Sequence, residues 1–428
     1  MNYFSTNNPR ITVSFRQAVI EGQPEDRGLY FPTEVPLLGK ALFTSLKSWS
    51  REDLGYHVMR SYAGADIPEP VLQKIVAETV NFPFPLVQVS GNIASLELFH
   101  GPTLAFKDVG ARFMSRCLSY FAGKGTKKYT VLVATSGDTG GAVADAFHEV
   151  ENVNVVILYP SGKVSEIQEL QLTTLGGNVT ALEIQGNFDD CQRLVKQAFS
   201  DKDLKVKLQL TSANSINVAR WLPQQLYYFY ALQQWTEEES PVISVPSGNF
   251  GNICAGLLAR QSGLPVNHFI AACNMNDIVM RYLQTGTYLP EPARHTLSNA
   301  MDVGDPSNFI RIQQLFDRSI DSLKKAFSCC SISDEETIQV MKAVEKEFGY
   351  ILDPHGAVGY LALERFLATN GGKGLFLETA HPVKFEVDKI LGKEILRPDA
   401  IRLLMGRSKS SITLPPDFAS IKDYLLQE

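Results

Sequence analysis

The sequence predicts an α/β fold built on parallel sheets, and two patterns predict it. Short β-branched runs alternate with stretches of helical periodicity, and polar glycine motifs sit where a run gives way to a helix. Such alternation argues for parallel strands covered by helices on both faces. Ligands of such sheets bind beyond the carboxyl ends of the strands, on the strand-to-helix loops. At 428 residues the chain exceeds what one hydrophobic core ordinarily supports, so two or more domains are expected.

The elements follow in order. The first eighty residues read as helical and connecting, and end in Phe82-Pro83-Phe84-Pro85. Proline interrupts helix and ladder alike, so this stretch marks the boundary of a separate N-terminal unit. Tyr129–Ala134 (YTVLVA) predicts a strand, TSGDTGG a glycine loop and AVADAFHEV a helix. Val153–Tyr159 and Val179–Ile184 predict two further strands, the second followed by the helix-like FDDCQRLVKQAF. Leu208–Thr211 leads through SANSIN into a helical stretch that runs to Tyr230. Val242–Val245 leads through PSGNFGN into ICAGLLAR, and Gly374–Thr379 (GLFLET) is a last strand. The chain carries no internal repeat and no low-complexity segment.

Composition narrows the function classes. Hydrophobic residues make up 44% and charged residues 20%, ordinary for a soluble globular protein. A net charge of -6 gives no reason to expect nucleic acid or an anionic membrane as partner. An anionic substrate must therefore be drawn by a local cluster of cations. MNYFSTNNPRITVSF lacks the basic start and apolar run of a signal peptide, and no apolar stretch approaches a membrane span. Six cysteines without a CxxC pair fit small buried hydrophobes in a reducing cytoplasm. Seven histidines show no ligand spacing such as HExxH, so no metal site is expected.

Several motifs carry chemistry, each with a plainer alternative. Ser247–Gly251 (SGNFG) lies between a strand and a helix start, where unpaired N–H groups and the helix dipole favour an anion. It suits a cofactor phosphate, and it also suits a tight turn. Ser136–Gly140 (SGDTG) repeats the geometry, and with Thr135 it offers hydroxyls and N–H groups to a carboxylate. Asp138 is unwelcome beside an anion, and a capped helix start is the alternative. Lys107, in HGPTLAFKD, has apolar neighbours that can desolvate it and expose a nucleophilic amine for an aldehyde cofactor. A snorkelling surface lysine is the alternative. Asn214, Ser215 and Arg220 in SANSINVAR, and Lys163 in LYPSGKVS, are candidate oxyanion contacts. A helix cap and solvated charges are the plain alternatives.

Taken together, HGPTLAFKD, ATSGDTG, LYPSGKVS, SANSINVAR, PSGNFGN and ETAHP, in that order, resemble the threonine synthases. The likeness is to their longer class of bacteria and fungi, and it runs from near residue 1 to near the end of the chain. Six ordered motifs are far more specific than any one of them. The resemblance implies a pyridoxal-phosphate (PLP) enzyme of fold-type II, like the tryptophan synthase β chain. It implies an N-terminal, mainly helical unit over 1–82 and a large PLP-binding domain over 83–115 and 212–428. A small mobile α/β domain over 116–211 completes it, with the active site between the two.

By position, the resemblance makes Lys107 the lysine that bonds the cofactor. Gly248, Asn249, Phe250 and Gly251 then cradle the cofactor phosphate, and Thr379 meets the pyridine nitrogen. Thr135, Ser136 and Thr139 look like the substrate carboxylate loop, and Lys163, Asn214, Ser215 and Arg220 like the set that grips a substrate phosphate. Asp138 departs from the pattern, standing where many relatives carry asparagine facing the cofactor's 3′-oxygen. It either hydrogen-bonds that oxygen as a protonated or shared-proton acid, or acts on the loop alone. The implied activity is a carbon–oxygen lyase reaction converting O-phosphohomoserine and water to threonine and phosphate. A monomer or homodimer in the cytoplasm is expected. Rival readings are a threonine dehydratase or cysteine synthase, a PLP phospho-lyase that resembles threonine synthase, and a non-catalytic binding protein on the same fold. Lys163 and Arg220 speak against the first pair, whose substrates have no terminal phosphomonoester.

Overall fold

A computed structural model describes residues 1–123 and 128–427. Two parallel sheets organise it, as the strand–helix alternation predicts. The larger runs Phe327–Ser331, His268–Cys273, Val242–Pro246, Gly374–Glu378, Ile93–Glu97 and Leu86–Gln88. Its first five strands are parallel, and Leu86–Gln88 closes the edge antiparallel to Ile93–Glu97. The smaller runs Ile412–Leu414, Val179–Ile184, Val153–Pro160, Tyr129–Ala134 and Gln209–Ser212, all parallel. Central strands bury both faces, which is why YTVLVA, VISV and GLFLE read as continuous apolar runs.

Several strands escape the sequence pattern. Ile93–Glu97 (IASLE), His268–Cys273 (HFIAAC) and Phe327–Ser331 (FSCCS) are rich in alanine, serine and cysteine. Their extended form comes from pairing in the sheet more than from intrinsic preference. Cys329 and Cys330 thus lie within a strand, and all six cysteines are free thiols.

The N-terminal unit carries the expected helices, Arg51–Ala63 and Glu69–Thr79, the first capped by Ser50. It also holds a small antiparallel sheet, Asn2–Ser5 between Thr12–Ser14 and Tyr30–Pro32. Strands of three or four residues are too short for period-two alternation to be seen. The C-terminus differs from the expected assignment of 212–428 to the larger domain. Ile412–Leu414 pairs with Val179–Ile184 of the smaller sheet. Ile421 and Leu425 of the last helix, Phe418–Gln427, are buried in one cluster with Leu182, Leu194 and Leu204. The chain thus returns to cover an edge that would otherwise stand unpaired.

Among the described residues, no helix is long and apolar enough to cross a membrane. Nor does any cluster of three or more His, Cys, Asp or Glu among them suit a metal ion.

Candidate active site

The glycine motifs lie on the loops leaving the strands Tyr129–Ala134 and Val242–Pro246. Lys107 is the first residue of the helix Lys107–Ala122. The segment before it is stitched to the chain that follows Gly374–Glu378. Phe106 N donates to Thr379 O at 2.8 Å, His381 N donates to Leu104 O at 3.0 Å, and Ala105 bridges Ala380. These bonds bring Lys107 and Thr379 to the same end of the larger sheet.

The Lys107 side chain is 17% exposed. Its Nζ lies 4.8 Å from the centre of the Phe106 ring and 3.9 Å from Asp138 Oδ2. Burial lowers its pKa, Asp138 opposes that shift, and Lys384 and Arg220 add to it. Asp138 opens the helix Asp138–Phe147 and is itself buried. Its Oδ1 receives Lys384 Nζ at 2.7 Å and Gln168 Nε2 at 2.9 Å. Burial pushes the Asp138 carboxyl up, but Lys384 and Lys107 outweigh it and hold it well below the usual carboxylate range. The protonated Asp138 that the sequence left open does not fit this pairing.

The loop after Val242–Pro246 turns sharply. Phe250 adopts a left-handed conformation, φ 58° and ψ 12°, and starts the helix Gly251–Gln261 without a side-chain cap. The first N–H groups of that helix are therefore left for another acceptor. Gly248 packs hard against its neighbour: a Cβ there would lie 2.4 Å from Met301 Cα. The Asn249 side chain knits loops together. Its Nδ2 donates to Ser215 Oγ at 2.9 Å, and its Oδ1 accepts from Ser307 N at 2.6 Å. Asn308 Nδ2 also donates to Ser215 Oγ, at 2.9 Å. The SANSIN and SGNFG motifs are thus in direct contact.

The remaining expected residues divide into those that point inward and those that do not. Asn214 Nδ2 donates to Ala134 O at 3.3 Å, while its buried Oδ1 has no hydrogen-bond partner among the described residues. Asn217, not Asn214, caps the helix Val218–Trp221. Arg220 is 4% exposed, and its Nε and Nη1 have no partner among the described residues. Burial lowers its pKa to about 10. It reaches the neighbourhood of Lys107 because Gly110 lets two helices meet. A Cβ on Gly110 would lie 2.5 Å from Arg220 O.

Thr135 is occupied by its own loop. Its Oγ1 accepts from Gly137 N at 3.0 Å and Gly140 N at 2.8 Å, so it shapes the SGDTG turn. Ser136 and Thr139 are partly exposed on that turn. Lys163 is not gathered with the others. It is exposed on the turn after Val153–Pro160, within electrostatic reach of Asp190 in the first turn of the helix Phe188–Ser200.

Sequence reasoning missed three contributors. Lys384 and Gln168 meet Asp138 from distant segments, and the one signal was a lysine set among apolar residues in HPVKF. Glu378, next to Thr379, is wholly buried against Asp353, whose N donates to Glu378 Oε1 at 2.7 Å. Burial and the Asp353 charge push the Glu378 carboxyl well above its ordinary pKa.

A largely enclosed lysine, an uncapped helix start and a buried guanidinium with two nitrogens unpaired among the described residues together suit a phosphorylated aldehyde cofactor and a second anion. Comparison with known proteins gives the same direction. Residues 85–376 match the family model described as pyridoxal-phosphate dependent enzyme, and residues 2–80 match threonine synthase N terminus. Threonine synthase of Serratia marcescens is 45% identical over 100% of this chain and 99% of its own. The crystal structure of threonine synthase from Escherichia coli superposes with a TM-score of 0.94 at 45% identity, covering 100% of both chains. PLP-bound threonine synthase from Brucella melitensis superposes with a TM-score of 0.92 at 36% identity, covering 100% of this chain and 99% of that one.

Proposed function

Because the chain belongs to the threonine synthase family of PLP-dependent enzymes, we propose that its site converts O-phosphohomoserine and water to threonine and phosphate. The observation that carries this reading is Arg220, a buried guanidinium near Lys107 with two nitrogens unpaired among the described residues. A buried charge without a partner is costly unless a ligand supplies one. A substrate phosphate would do so through the planar fork of arginine.

The residues divide the work as follows. The N–H groups of Gly248, Asn249, Phe250 and Gly251 hold the cofactor phosphate, and Thr379 offers a neutral hydroxyl to its ring nitrogen. When bound, PLP supplies an electron sink for the pair left at the substrate α-carbon. Ser136 and Thr139, on the turn that Thr135 shapes, take the substrate carboxylate. Arg220, Asn214 and Ser215 take the substrate phosphate, with Lys163 as an outer cation. Lys107 removes the Cα proton and then serves the neighbouring carbons as acid and base. Loss of a Cβ proton expels phosphate from Cγ, a proton is taken up at Cγ, and water adds its hydroxyl at Cβ, with a proton returned to Cα as threonine forms. Closure of the smaller sheet's unit over the larger would exclude stray water until that last step. Six free thiols suit work in a reducing cytoplasm.

Incubation of the PLP-loaded protein with O-phosphohomoserine tests the reading. Threonine and phosphate should appear in equal amounts. Phosphate with 2-oxobutyrate and no threonine would instead mark a phospho-lyase. A protein that stays colourless with added PLP would mark a binding protein.

Gly248→Val probes the cofactor loop. The new side chain must displace the backbone at Met301, an overpacking that costs about 1–3 kcal/mol of stability. The displaced loop should bind PLP weakly, as read by absorbance titration. Parental affinity in a folded variant would reduce SGNFG to a turn.

A further inference from the structure

We propose that Lys384 is a positioning residue that sets the charge of Lys107 by holding Asp138 as a carboxylate turned toward it. The inference rests on the reading of Lys107 given above and extends it to a residue outside every motif.

Lys384 ends the short turn Pro382–Lys384, and its side chain is fully enclosed, at 0% exposure. Its Nζ makes two contacts, with Asp138 Oδ1 at 2.7 Å and with Thr103 O at 2.8 Å. Thr103 belongs to the loop that delivers Lys107, and its N and Oγ1 donate to Asp108 in the first turn of the Lys107 helix. Lys384 therefore ties the Lys107 loop of the larger sheet to the helix start of the smaller one.

Burying an ammonium for stability alone is a poor solution, because an apolar side chain of similar size often does as well or better. The arrangement makes sense through charge. Asp138 presents Oδ1 to Lys384 and Gln168 and Oδ2 to Lys107, the latter at a longer 3.9 Å. Two ammonium groups thus share one carboxylate, and Lys384 holds it more closely. The charged groups facing Lys107 are Asp138 from the helix Asp138–Phe147, Lys384 from its turn, Arg220 from Val218–Trp221 and Asp353 from the cap of Pro354–Asn370. With Lys384 present, Lys107 is the group in surplus and releases its proton more readily. Without Lys384, the whole Asp138 charge falls on Lys107 and keeps it an ammonium, a poor nucleophile and a poor base.

The test uses the full chain freed of cofactor, so that it reads Lys107 independently of turnover. Formaldehyde with cyanoborohydride methylates unprotonated lysines, and mass spectrometry follows the Lys107 peptide as pH is varied. Lys384→Met and Lys384→Gln should raise the midpoint of Lys107 labelling by about one pH unit or more, a tenfold loss of rate below the midpoint. Lys384→Arg should leave it near the parent. Lys384→Met combined with Asp138→Asn should bring the midpoint back down, and Asp138→Asn alone must not raise it. A midpoint unmoved in folded Lys384→Met or Lys384→Gln overturns the inference, since a purely structural lysine would alter stability alone. If neither variant folds, a raised midpoint in Asp138→Asn overturns it, and an unraised one supports it. Failure of Lys107 to bond the cofactor would appear separately, in the reduction experiment described below.

Discussion

Lys107→Ala will lose turnover while keeping its fold and a weak affinity for PLP. Its ammonium lies 3.9 Å from Asp138, and Asp138 retains Lys384 at 2.7 Å and Gln168 at 2.9 Å after its removal. The Asp138 carboxylate keeps these two partners, so the melting temperature should move little. The proposed phosphate site at the start of Gly251–Gln261 is not built by Lys107 and should survive the change. The chemistry suffers instead. A positioned acid or base contributes on the order of 10²–10⁴ in rate, and this lysine is asked to act at more than one carbon. The loss in kcat should therefore be at least about a thousandfold. Borohydride treatment of the parent should attach the cofactor to a single peptide, the one containing Lys107. Attachment at Lys384, the other lysine beside Asp138, would sink the assignment.

Arg220→Met should separate stability from activity. Nε and Nη1 of Arg220 have no partner among the described residues, so the variant sacrifices no hydrogen bond from those atoms. It also removes a buried charge, whose desolvation is unfavourable. The free protein should melt at the parental temperature or above it. In contrast, kcat/KM on O-phosphohomoserine should fall roughly ten- to a hundredfold, since a hydrogen bond to a charged group is worth about 1.5–3 kcal/mol. Arg220→Lys should recover part of this, because an ammonium cannot reproduce the bidentate fork. A slow side reaction on serine, which has no distal phosphate, should survive. Equal loss on both substrates, with a lowered melting temperature, would make Arg220 a structural residue.

Arg311 supplies the contrast. It is fully buried, donates to Tyr30 O, Ser215 O and Asn308 Oδ1, and stacks 4.4 Å from the Trp221 ring centre. Its truncation to Met should destabilise the fold, since it strands several carbonyl groups. Lys163→Ala should cost less activity than Arg220→Met. An exposed charge is screened by water and salt, so the effect should be a few-fold and should shrink as ionic strength rises.

Much of this protein was readable without coordinates. The alternating runs YTVLVA, VNVVILY and VISV gave parallel strands, because strands buried on both faces must be continuously apolar. SGDTG and SGNFG marked strand-to-helix turns, because glycine and small polar residues are what such turns accept. The ordered motifs carried the family and hence the cofactor. Strands such as FSCCS and IASLE were not readable, since neighbours in the sheet impose their extended form. Nor was the return of Ile412–Leu414 to the smaller sheet, a pairing across more than two hundred residues that leaves no local mark.

The sequence by itself determined the fold class and the family, and it marked the loops proposed to carry chemistry, because those depend on local periodicity and on short contiguous motifs. Only the tertiary structure decided how the charges are arranged. Lys163 and Arg220 look alike as isolated cations, yet one is exposed and the other is buried with two nitrogens unpaired among the described residues. Thr135 looks like a ligand hydroxyl, yet it is used up in shaping its own turn. Asp138 could be read as a protonated acid until Lys384, 246 positions away in the chain, was found 2.7 Å from it. The physical reason is common to all three. A motif specifies which donors and charges are present, but their ionisation and availability depend on burial and on partners that come from remote segments of the chain.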